Sequence, residues 1–263
     1  MYNFDFVKPG SVADAVAALA GEEAQPLSGG QTLIPSMKAR LNAPGSLVSL
    51  TGIPELVGVC REGDTLVIGA ATTHAQVARD AAGDFPGLAA LAGQIGDPAV
   101  RNKGTIGGSL ANNDPSACYP AAALGTGATI VTDRREIAAD DYFQGMFTTA
   151  LEEGEIITSV RLPIPQASAY AKFVQPASRF ALTAAFVARY ASGVRVAITG
   201  ASENGVFRWA EAEAALSSDF SANALDGLAH SAHEMIADLH GTAAYRAHLV
   251  GVMTRRAVAA AGS

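Results

Sequence analysis

Apolar residues recur along the first two thirds of the chain with spacings that predict short strands alternating with helices. Residues 12–20 place Val12, Ala15, Val16 and Leu19 on one helical face behind Ser11, a good N-cap. Short apolar runs predict strands at residues 2–8, 24–27, 47–50, 65–72, 128–132 and 155–162. Helices are predicted at residues 74–80, 87–95 and 117–124, with helical turns at 53–56 and 140–143. We predict a small β-α-β-α-β unit over residues 1–55 and a second mixed core over residues 56–168.

The pattern changes near residue 169, where three apolar runs follow one another without an intervening helix. They predict successive strands at residues 170–174, 184–190 and 194–199, with a turn at 192–193 and a further short strand at 207–209. Three helices are then predicted at residues 211–216, 222–239 and 242–261. The chain is therefore predicted to be of the α+β class. Its third part, residues 169–263, is predicted to be an antiparallel sheet with helices on one face.

Residues 101–114 form the stretch that is richest in glycine and small polar residues. Gly104, Gly107 and Gly108 lack a Cβ, so their backbone can take positive φ angles and approach a ligand closely. Short hydroxyl and amide side chains lie among them, and Arg101 and Lys103 add positive charge upstream. Such a stretch can hold an anionic ligand through backbone N–H groups. Taken alone, it is equally typical of a surface turn between two elements.

A second stretch of the same character is Ser-Gly-Gly-Gln-Thr at residues 28–32, followed by the cations Lys38 and Arg40. Two such loops could grip the two phosphates of a dinucleotide from two sides. Neither loop matches the glycine spacing of a Rossmann turn or of a P-loop, so the sequence supports neither of those folds.

Composition and charge remove several function classes. The chain has 263 residues, of which 49% are hydrophobic and 16% charged, with a net charge of −7. That balance disfavours non-specific nucleic-acid binding. We find neither a transmembrane run nor a secretion signal, and we expect a cytoplasmic protein. Cys60 and Cys118 are the two cysteines and belong to no CxxC pair, so we expect neither zinc nor an iron–sulfur cluster in this chain.

Histidines and serines offer two further candidate sites. His230, His233 and Glu234 have helical spacing within the predicted helix at 222–239, but exposed histidines on an alanine-rich helix are commoner than a metal site, and we predict no metal. Ser28 and Ser109 lack patterned histidine and aspartate partners, which argues against a hydrolase triad.

Three ordered motifs resemble one protein family. They are Gly-Gly-Gln-Thr-Leu at residues 29–33, Ile-Gly-Ala-Ala-Thr-Thr-His at 68–74, and the long stretch from Gly-Asp-Pro-Ala-Val-Arg to Ala-Asn-Asn-Asp-Pro at 96–115. The family is the FAD-binding medium subunit of molybdenum hydroxylases, which includes bacterial carbon monoxide dehydrogenases and the xanthine dehydrogenase family. The resemblance covers the whole chain. It implies a two-part FAD-binding domain of the vanillyl-alcohol oxidase (PCMH) type, over residues 1–55 and 56–168, and a small C-terminal α+β domain over residues 169–263.

The resemblance also assigns cofactor-binding residues, although it assigns no catalytic residue to this chain. The pyrophosphate is expected to be held, largely by backbone N–H groups, at Ser28, Gly29, Gly30, Gln31 and Thr32, and at Thr105, Gly107, Gly108 and Ser109. Leu33 is assigned to the cofactor site next to them. Ile95 and Ile157 match apolar positions near the adenine or its ribose, Lys172 matches a lysine near the flavin, and Asn112 and Asp114 match a stretch that contacts sugar and ribityl hydroxyls. Many family members have Asp where this chain has Cys118, so Asp114 is the substitute that we expect to bind a hydroxyl.

Family resemblance further implies a division of labour among subunits. A large molybdopterin-binding subunit oxidises the substrate, and a small subunit with [2Fe–2S] clusters passes electrons to the FAD of this chain. The flavin then reduces an external acceptor. A dimer of such heterotrimers is the implied assembly, and no nucleic acid takes part. Two alternatives stay open: a stand-alone FAD-dependent oxidase or reductase with the same cofactor domain, and a non-redox scaffold that has lost its flavin.

Overall fold

The computed structural model of this chain describes residues 1–262. Its first part is a three-stranded parallel sheet in the order β1-β3-β2, with two helices between the strands. The elements are β1 (Asp5–Val7), α1 (Val12–Leu19), β2 (Ala24–Leu27), α2 (Leu33–Lys38) and β3 (Ser46–Ser49), followed by one turn of 3₁₀ helix at Pro54–Leu56. The predicted β-α-β-α-β unit is confirmed. Its helix α1 starts where expected because the Ser11 hydroxyl accepts a hydrogen bond from the Asp14 N–H at 3.1 Å.

The second part is built on a five-stranded antiparallel sheet in the order β4-β5-β10-β6-β7. Its strands are β4 (Val59–Glu62), β5 (Thr65–Gly69), β6 (Thr129–Thr132), β7 (Glu136–Ala138) and β10 (Ile157–Pro163); β8 (Phe143–Gly145) and β9 (Thr148–Thr149) form a separate ribbon. The helices are α3 (His74–Asp80), α4 (Pro86–Gly93), α5 (Pro98–Arg101), α6 (Ile106–Asn112), α7 (Tyr119–Thr126) and α8 (Ala139–Tyr142). The sequence analysis missed β4 and β7. Both are short, mostly exposed edge strands and therefore lack an apolar alternation to read.

The third part is a four-stranded antiparallel sheet in the order β11-β12-β13-β14. Its elements are β11 (Ala167–Val174), β12 (Ala181–Tyr190), β13 (Gly193–Thr199), β14 (Phe207–Arg208), α9 (Ala210–Ser218), a 3₁₀ turn at Ala222–Leu225 and α10 (Ala243–Ala261). The chain's own C-terminal helices cover one face of this sheet. Helices α4 and α7 of the second part cover the other face. The α+β class and the antiparallel sheet are confirmed.

This sandwiching explains why β12 is almost uniformly apolar. Ala184, Phe186 and Ala188 pack into the core of the second part, whereas Leu182 and Val187 pack against α10. A strand that is buried on both faces loses the polar alternation of a half-exposed strand. The two larger cores therefore share β12, and the second and third parts are held against one another. The division into domains at residues 55 and 168 stays a prediction, and residue 263 lies outside the described residues.

The predicted helix at residues 222–239 is wrong. After the 3₁₀ turn that ends at Leu225, the chain turns at Asp226–Gly227, where Gly227 has a φ of +81°. Asp-Gly is a strong turn signal, and here it overrides the alanine-rich composition. The following residues run irregularly to residue 241, and Met235 pairs with Ser202 in an isolated bridge. His230 and His233 therefore have no helical spacing. Within residues 1–262, no group of three or more His, Cys, Asp or Glu side chains is arranged to hold a metal ion.

The stretch at residues 101–114 also differs from the predicted loop, because half of it, Ile106–Asn112, is helix α6. The Thr105 side chain caps this helix by accepting from the Gly108 N–H at 3.2 Å, and Asn113 ends it with a φ of +43°. Two adjacent glycines disfavour a helix. Here the Gly107 N–H donates to the Ala70 carbonyl oxygen at 2.9 Å, and an alanine Cβ at position 107 would lie 2.6 Å from the Ala70 Cβ. The close packing of α6 on the end of β5 thus requires glycine at position 107, although glycine is a poor helix former.

In the part of the chain that the structure describes, none of the helices has the length and apolar character that crossing a bilayer requires.

Candidate functional site

The two small-residue loops meet. The hydroxyl oxygens of Ser28 and Thr105 lie 2.8 Å apart, although 77 residues separate them in the chain. Gly29 packs against the backbone of the other loop, so that an alanine Cβ at this position would lie 2.6 Å from the Gly104 Cα. Real Cβ atoms do not approach a backbone carbon this closely. Glycine at position 29 is therefore what allows the loops to close on one another.

The first loop leaves a row of backbone donors unused. Gly30 has a φ of +69°, and its carbonyl oxygen accepts from the Ile34 N–H at 3.1 Å, which starts α2. Within residues 1–262, the N–H groups of residues 29–32 have no hydrogen-bond acceptor. Consecutive unpaired amides of this kind form a site for an anion.

In the second loop, most of the amides that were expected to bind the ligand are already paired. The N–H groups of Gly107, Gly108 and Ser109 already donate within the protein, to Ala70, Thr105 and the Thr105 carbonyl oxygen respectively. In the described structure the Thr105 N–H has no acceptor. This side therefore offers one free amide, hydroxyl groups and glycines without a Cβ, whereas the first loop offers a row of four free amides.

One cavity of about 730 Å³ lies between these loops, within the roughly 300–1,000 Å³ typical of small-molecule and cofactor sites. Every residue that the sequence analysis assigned to a cofactor lines it. These are Ser28, Gly29, Gly30, Gln31, Thr32, Leu33, Ile95, Thr105, Gly107, Gly108, Ser109, Asn112, Asp114, Ile157 and Lys172. The structure thus brings all fifteen to a single cavity, while their individual contacts with a cofactor stay predictions.

Lys172 brings a positive charge to the cavity from β11. Its Nζ donates to the Gln94 carbonyl oxygen at 3.0 Å and lies 3.5 Å from the Cys118 Sγ. Asp114 also faces the cavity, where its Oδ1 accepts from the Ser116 N–H at 2.8 Å. The Asp114 carboxylate is thereby oriented by its own turn, with its other oxygen left to accept from a ligand hydroxyl.

His74 lines the cavity beneath Gly104 and is buried. Thr73 caps its helix in a capping box with Gln76. Burial, and secondarily the charge of Arg101, lowers the pKa of His74 to about 4. The imidazole is therefore neutral at neutral pH. It packs on the Tyr119 ring with ring centroids 5.3 Å apart. His74 thus supports the loop without adding charge to the cavity.

Sequence reasoning missed the hairpin between β11 and β12. Ser178, Arg179 and Phe180 reach the cavity from the third part of the chain, and Phe180 is 48% exposed at its mouth. Gln25 and Asn42, which share a hydrogen bond of 3.1 Å, line the cavity elsewhere. For residues 178–180, the sequence offered one signal, an aromatic residue next to an arginine between two predicted strands. For Gln25 and Asn42 the sequence carries no such signal.

A buried carboxylate fixes the floor of the cavity. The Glu155 side chain accepts hydrogen bonds from Arg135 Nε at 3.0 Å, from the Thr132 hydroxyl at 2.7 Å and from the Glu152 N–H at 2.8 Å. The hydrogen bonds from Arg135, followed by those from Glu152 and Thr132, lower the pKa of Glu155 to about 2 against the opposing effect of burial. The neighbours Ile156 and Ile157 line the cavity and are held in place by this cluster.

Replacing Glu155 with glutamine is expected to lower the free energy of unfolding by about 1–3 kcal/mol at pH 7, because hydrogen bonds to a charged acceptor are lost. Since the folded-state pKa is depressed, this stability is present above pH 4.5 and is lost as the pH falls from 4.5 to about 2. Urea titrations at several pH values measure it. Glu153→Gln, at an exposed neighbour, is the matched control. An equal acid sensitivity of wild type and Glu155→Gln between pH 5 and 2 would contradict the assignment.

Comparison with known proteins places this geometry in a family. The family described as the FAD binding domain in molybdopterin dehydrogenase matches residues 2–165. The chain is 40% identical to the carbon monoxide dehydrogenase medium chain of Afipia carboxidovorans, over 97% of this chain and 96% of the relative. It is 34% identical to the nicotine 6-hydroxylase medium subunit of Paenarthrobacter nicotinovorans, over 98% and 97%.

Solved structures agree over the full length. A chain of reconstituted carbon monoxide dehydrogenase from Oligotropha carboxidovorans superposes with a TM-score of 0.90 at 37% identity, covering 99% of this chain and 98% of that one. A chain of quinoline 2-oxidoreductase from Pseudomonas putida 86 gives a TM-score of 0.87 at 28% identity, covering 99% and 97%.

The site has the features that FAD requires. The row of free amides at residues 29–32 and the glycine packing at positions 29 and 107 suit a diphosphate held against the backbone, and the cavity is large enough for an extended cofactor. The family model matches the first two parts of the chain, and individual relatives match nearly its whole length. The chain therefore belongs to the family of FAD-binding medium subunits of molybdenum-containing dehydrogenases and hydroxylases.

Proposed function

We propose that this chain is the electron-transfer subunit of a heterotrimeric molybdenum hydroxylase. It takes electrons from [2Fe–2S] clusters of a partner subunit and passes them to an external acceptor. The observation that carries this proposal is the closure of the loops at residues 28–32 and 105–109 over one cavity, with free amides on one side and Lys172 on the wall. Bound FAD would supply the redox chemistry, whereas the protein supplies binding, orientation and electrostatics.

Different residues would bind different parts of the FAD. The amides of residues 29–32 would hold the diphosphate, with the Ser28 and Thr105 hydroxyls beside them. Asn112 and Asp114 would bind sugar or ribityl hydroxyls, and Ile95 and Ile157 would give the adenosine an apolar wall. Lys172 would place its positive charge near the flavin, where it stabilises added negative charge.

The partners follow from the relatives, which are named as medium chains or subunits of larger enzymes. We propose a large molybdopterin-binding subunit, a small [2Fe–2S] subunit and a dimer of such heterotrimers. Cys60 is exposed, Cys118 is buried and neither is disulfide-bonded, so this chain has no cysteine set for a cluster of its own. A cytoplasmic location stays a prediction that cell fractionation can check.

The full chain, purified alone and reconstituted, is expected to bind one FAD non-covalently and to give a flavin absorbance spectrum. Purified from its natural host, it should bring down two partners, one with molybdopterin and one with iron and labile sulfide. Absence of flavin binding after reconstitution would overturn the proposal. Steady turnover of a small substrate by the isolated chain would instead favour a stand-alone oxidase or reductase.

Lys172→Met is expected to weaken FAD binding by about tenfold and to lower the flavin reduction potential, because a positive charge next to the ring stabilises the more negative reduced form. Lys172→Arg should retain most of both properties. Fluorescence titration and spectroelectrochemistry provide the measurements. Lys8→Met, at an exposed lysine near the end of β1, is the control that should match wild type. An unchanged reduction potential in Lys172→Met would show that this ammonium is not near the flavin ring.

A further inference from the structure

Cys118 and Lys172 form a thiol–amine pair in the wall of the cavity. The Cys118 Sγ lies 3.5 Å from the Lys172 Nζ, and both residues face the cavity although 54 residues separate them. The ammonium has a backbone carbonyl, that of Gln94, as its other partner. Among residues 1–262, no carboxylate lies within ion-pair distance of it. The nearest reactive group to this amine is therefore a thiol.

A third residue completes the surroundings of the sulfur. The Tyr170 hydroxyl is buried beside the Cys118 sulfur, on the same strand that carries Lys172, and no other polar group in the described part of the chain pairs with it. Burial, and then the neighbouring Cys118, raises the pKa of this phenol. The phenol is therefore neutral. It can donate to an oxygen atom added to the sulfur, which is a stronger hydrogen-bond acceptor than the thiol sulfur itself.

A small oxidant can reach this sulfur. Cys118 is 5% exposed to solvent, but it borders a cavity that opens beside the half-exposed Phe180. Cys60 provides an internal contrast. It is the exposed cysteine, its sulfur lies near the Glu62 carboxylate at 4.0 Å, and no lysine amine contacts it in the structure of residues 1–262.

We propose that Cys118 and Lys172 are a reversible oxidation site that hydrogen peroxide converts to a sulfur–nitrogen cross-link. In the first step the Cys118 thiol and peroxide give a sulfenic acid and water; the sulfur loses two electrons and the peroxide gains them. In the second step the Lys172 nitrogen attacks that sulfur. Before the attack Lys172 loses one proton to solvent, which frees the nitrogen lone pair. An S–N bond then forms and the S–O bond breaks; the oxygen leaves as water with a second proton from the nitrogen, and the third proton stays on the nitrogen.

The geometry favours the second step over further oxidation. The amine is already next to the sulfur, and an intramolecular nucleophile at contact distance has a large effective concentration. The four-carbon stem of lysine is flexible enough to close the remaining separation. The product removes the positive charge of Lys172 from the cavity. That electrostatic consequence rests on the proposed FAD function, whereas the cross-link itself does not.

The test is to treat the full chain with a few equivalents of hydrogen peroxide, with and without bound FAD, and to analyse tryptic peptides by mass spectrometry. The expected product joins peptide 104–134, which contains Cys118, to peptide 162–179, in which Lys172 is no longer a cleavage site. Its mass should be that of the two peptides less two hydrogen atoms. Dithiothreitol should release both peptides unchanged.

Matched variants separate the steps. Cys60→Ser should leave the yield of the linked peptides unchanged, and Cys118→Ser should abolish it. Lys172→Arg should abolish the link but leave a Cys118 sulfenic acid that dimedone labels. Oxidation of Cys118 to sulfinic acid without any linked peptide in the wild-type chain would overturn the proposal, and so would oxidation confined to Cys60. The wild-type measurement decides the matter even if a variant fails to fold. A cross-link in a chain that binds no FAD would support this site while contradicting the proposed function.

Discussion

Replacing Gly29 with alanine is expected to weaken FAD binding by about 100-fold, or roughly 2.7 kcal/mol. The added Cβ would lie 2.6 Å from the Gly104 Cα, in a place surrounded by backbone atoms of the second loop. No side-chain rotation can move a Cβ away from backbone atoms, so the two loops must move apart. Separation breaks the 2.8 Å contact between the Ser28 and Thr105 hydroxyls and moves the free amides at residues 29–32 away from their ligand. Titration of flavin fluorescence measures the loss.

Gly52→Ala is the matched control. An alanine Cβ at position 52 meets no atom within 4 Å, and this glycine has no positive φ. The control variant should bind FAD as wild type does. Circular dichroism should show that both variants are folded. A folded Gly29→Ala variant with wild-type FAD affinity would mean that the contact between the two loops does not form the cofactor site.

Replacing Arg246 with methionine is expected to lower the free energy of unfolding by about 3–5 kcal/mol. Arg246 is 1% exposed. It donates to the carbonyl oxygens of Leu182 and Gly200 at 2.7 Å each and to the Asp238 carboxylate at 2.7 Å. The side chain from α10 thereby joins β12 and the end of β13 to the irregular segment at residues 226–241. Methionine fills similar space but leaves these acceptors without a donor in the protein interior.

The Asp238 side of this cluster gives an independent check. Burial raises the pKa of Asp238, but the hydrogen bond from Arg246 and those from the His240 and Gly241 N–H groups outweigh it and lower the pKa. Asp238→Ala should therefore also destabilise the protein, because it leaves a buried guanidinium without its anion. Arg256→Met, at an exposed position of the same helix, should change the stability by no more than about 0.5 kcal/mol. Urea unfolding of the three variants makes the comparison; equal stability of Arg246→Met and Arg256→Met would refute the role of this cluster.

Local signals account for the elements that the sequence predicted well. Ser11 with Asp14, and Thr73 with Gln76, form caps within four residues of chain, and the helices begin there in the structure. A tight turn joins β12 and β13 as expected, at residues 191–192, one position before the predicted 192–193. Such signals need no knowledge of the rest of the fold, since both partners of each contact lie in the same turn.

Prediction failed where distant contacts outweigh local preference. Helix α6 contains two adjacent glycines, and its position depends on the packing of Gly107 on Ala70. The predicted helix at residues 222–239 is rich in alanine, yet the Asp226–Gly227 turn and the pairing of Met235 with Ser202 keep its larger part from forming a helix. In both cases a few tenths to one kcal/mol of intrinsic propensity per residue is smaller than the effect of tertiary packing.

By itself, the sequence determined the family, the α+β class and fifteen of the residues that border the cavity, because motifs and patterns contiguous in the chain carry the class and the resemblance to the family. Tertiary structure alone decided which loop offers a row of free amides, that residues 178–180 reach the mouth of the cavity, and that Cys118 lies beside Lys172. These facts join residues tens of positions apart. Their distances follow from how three sheets pack on shared cores, which no pattern along the chain encodes locally.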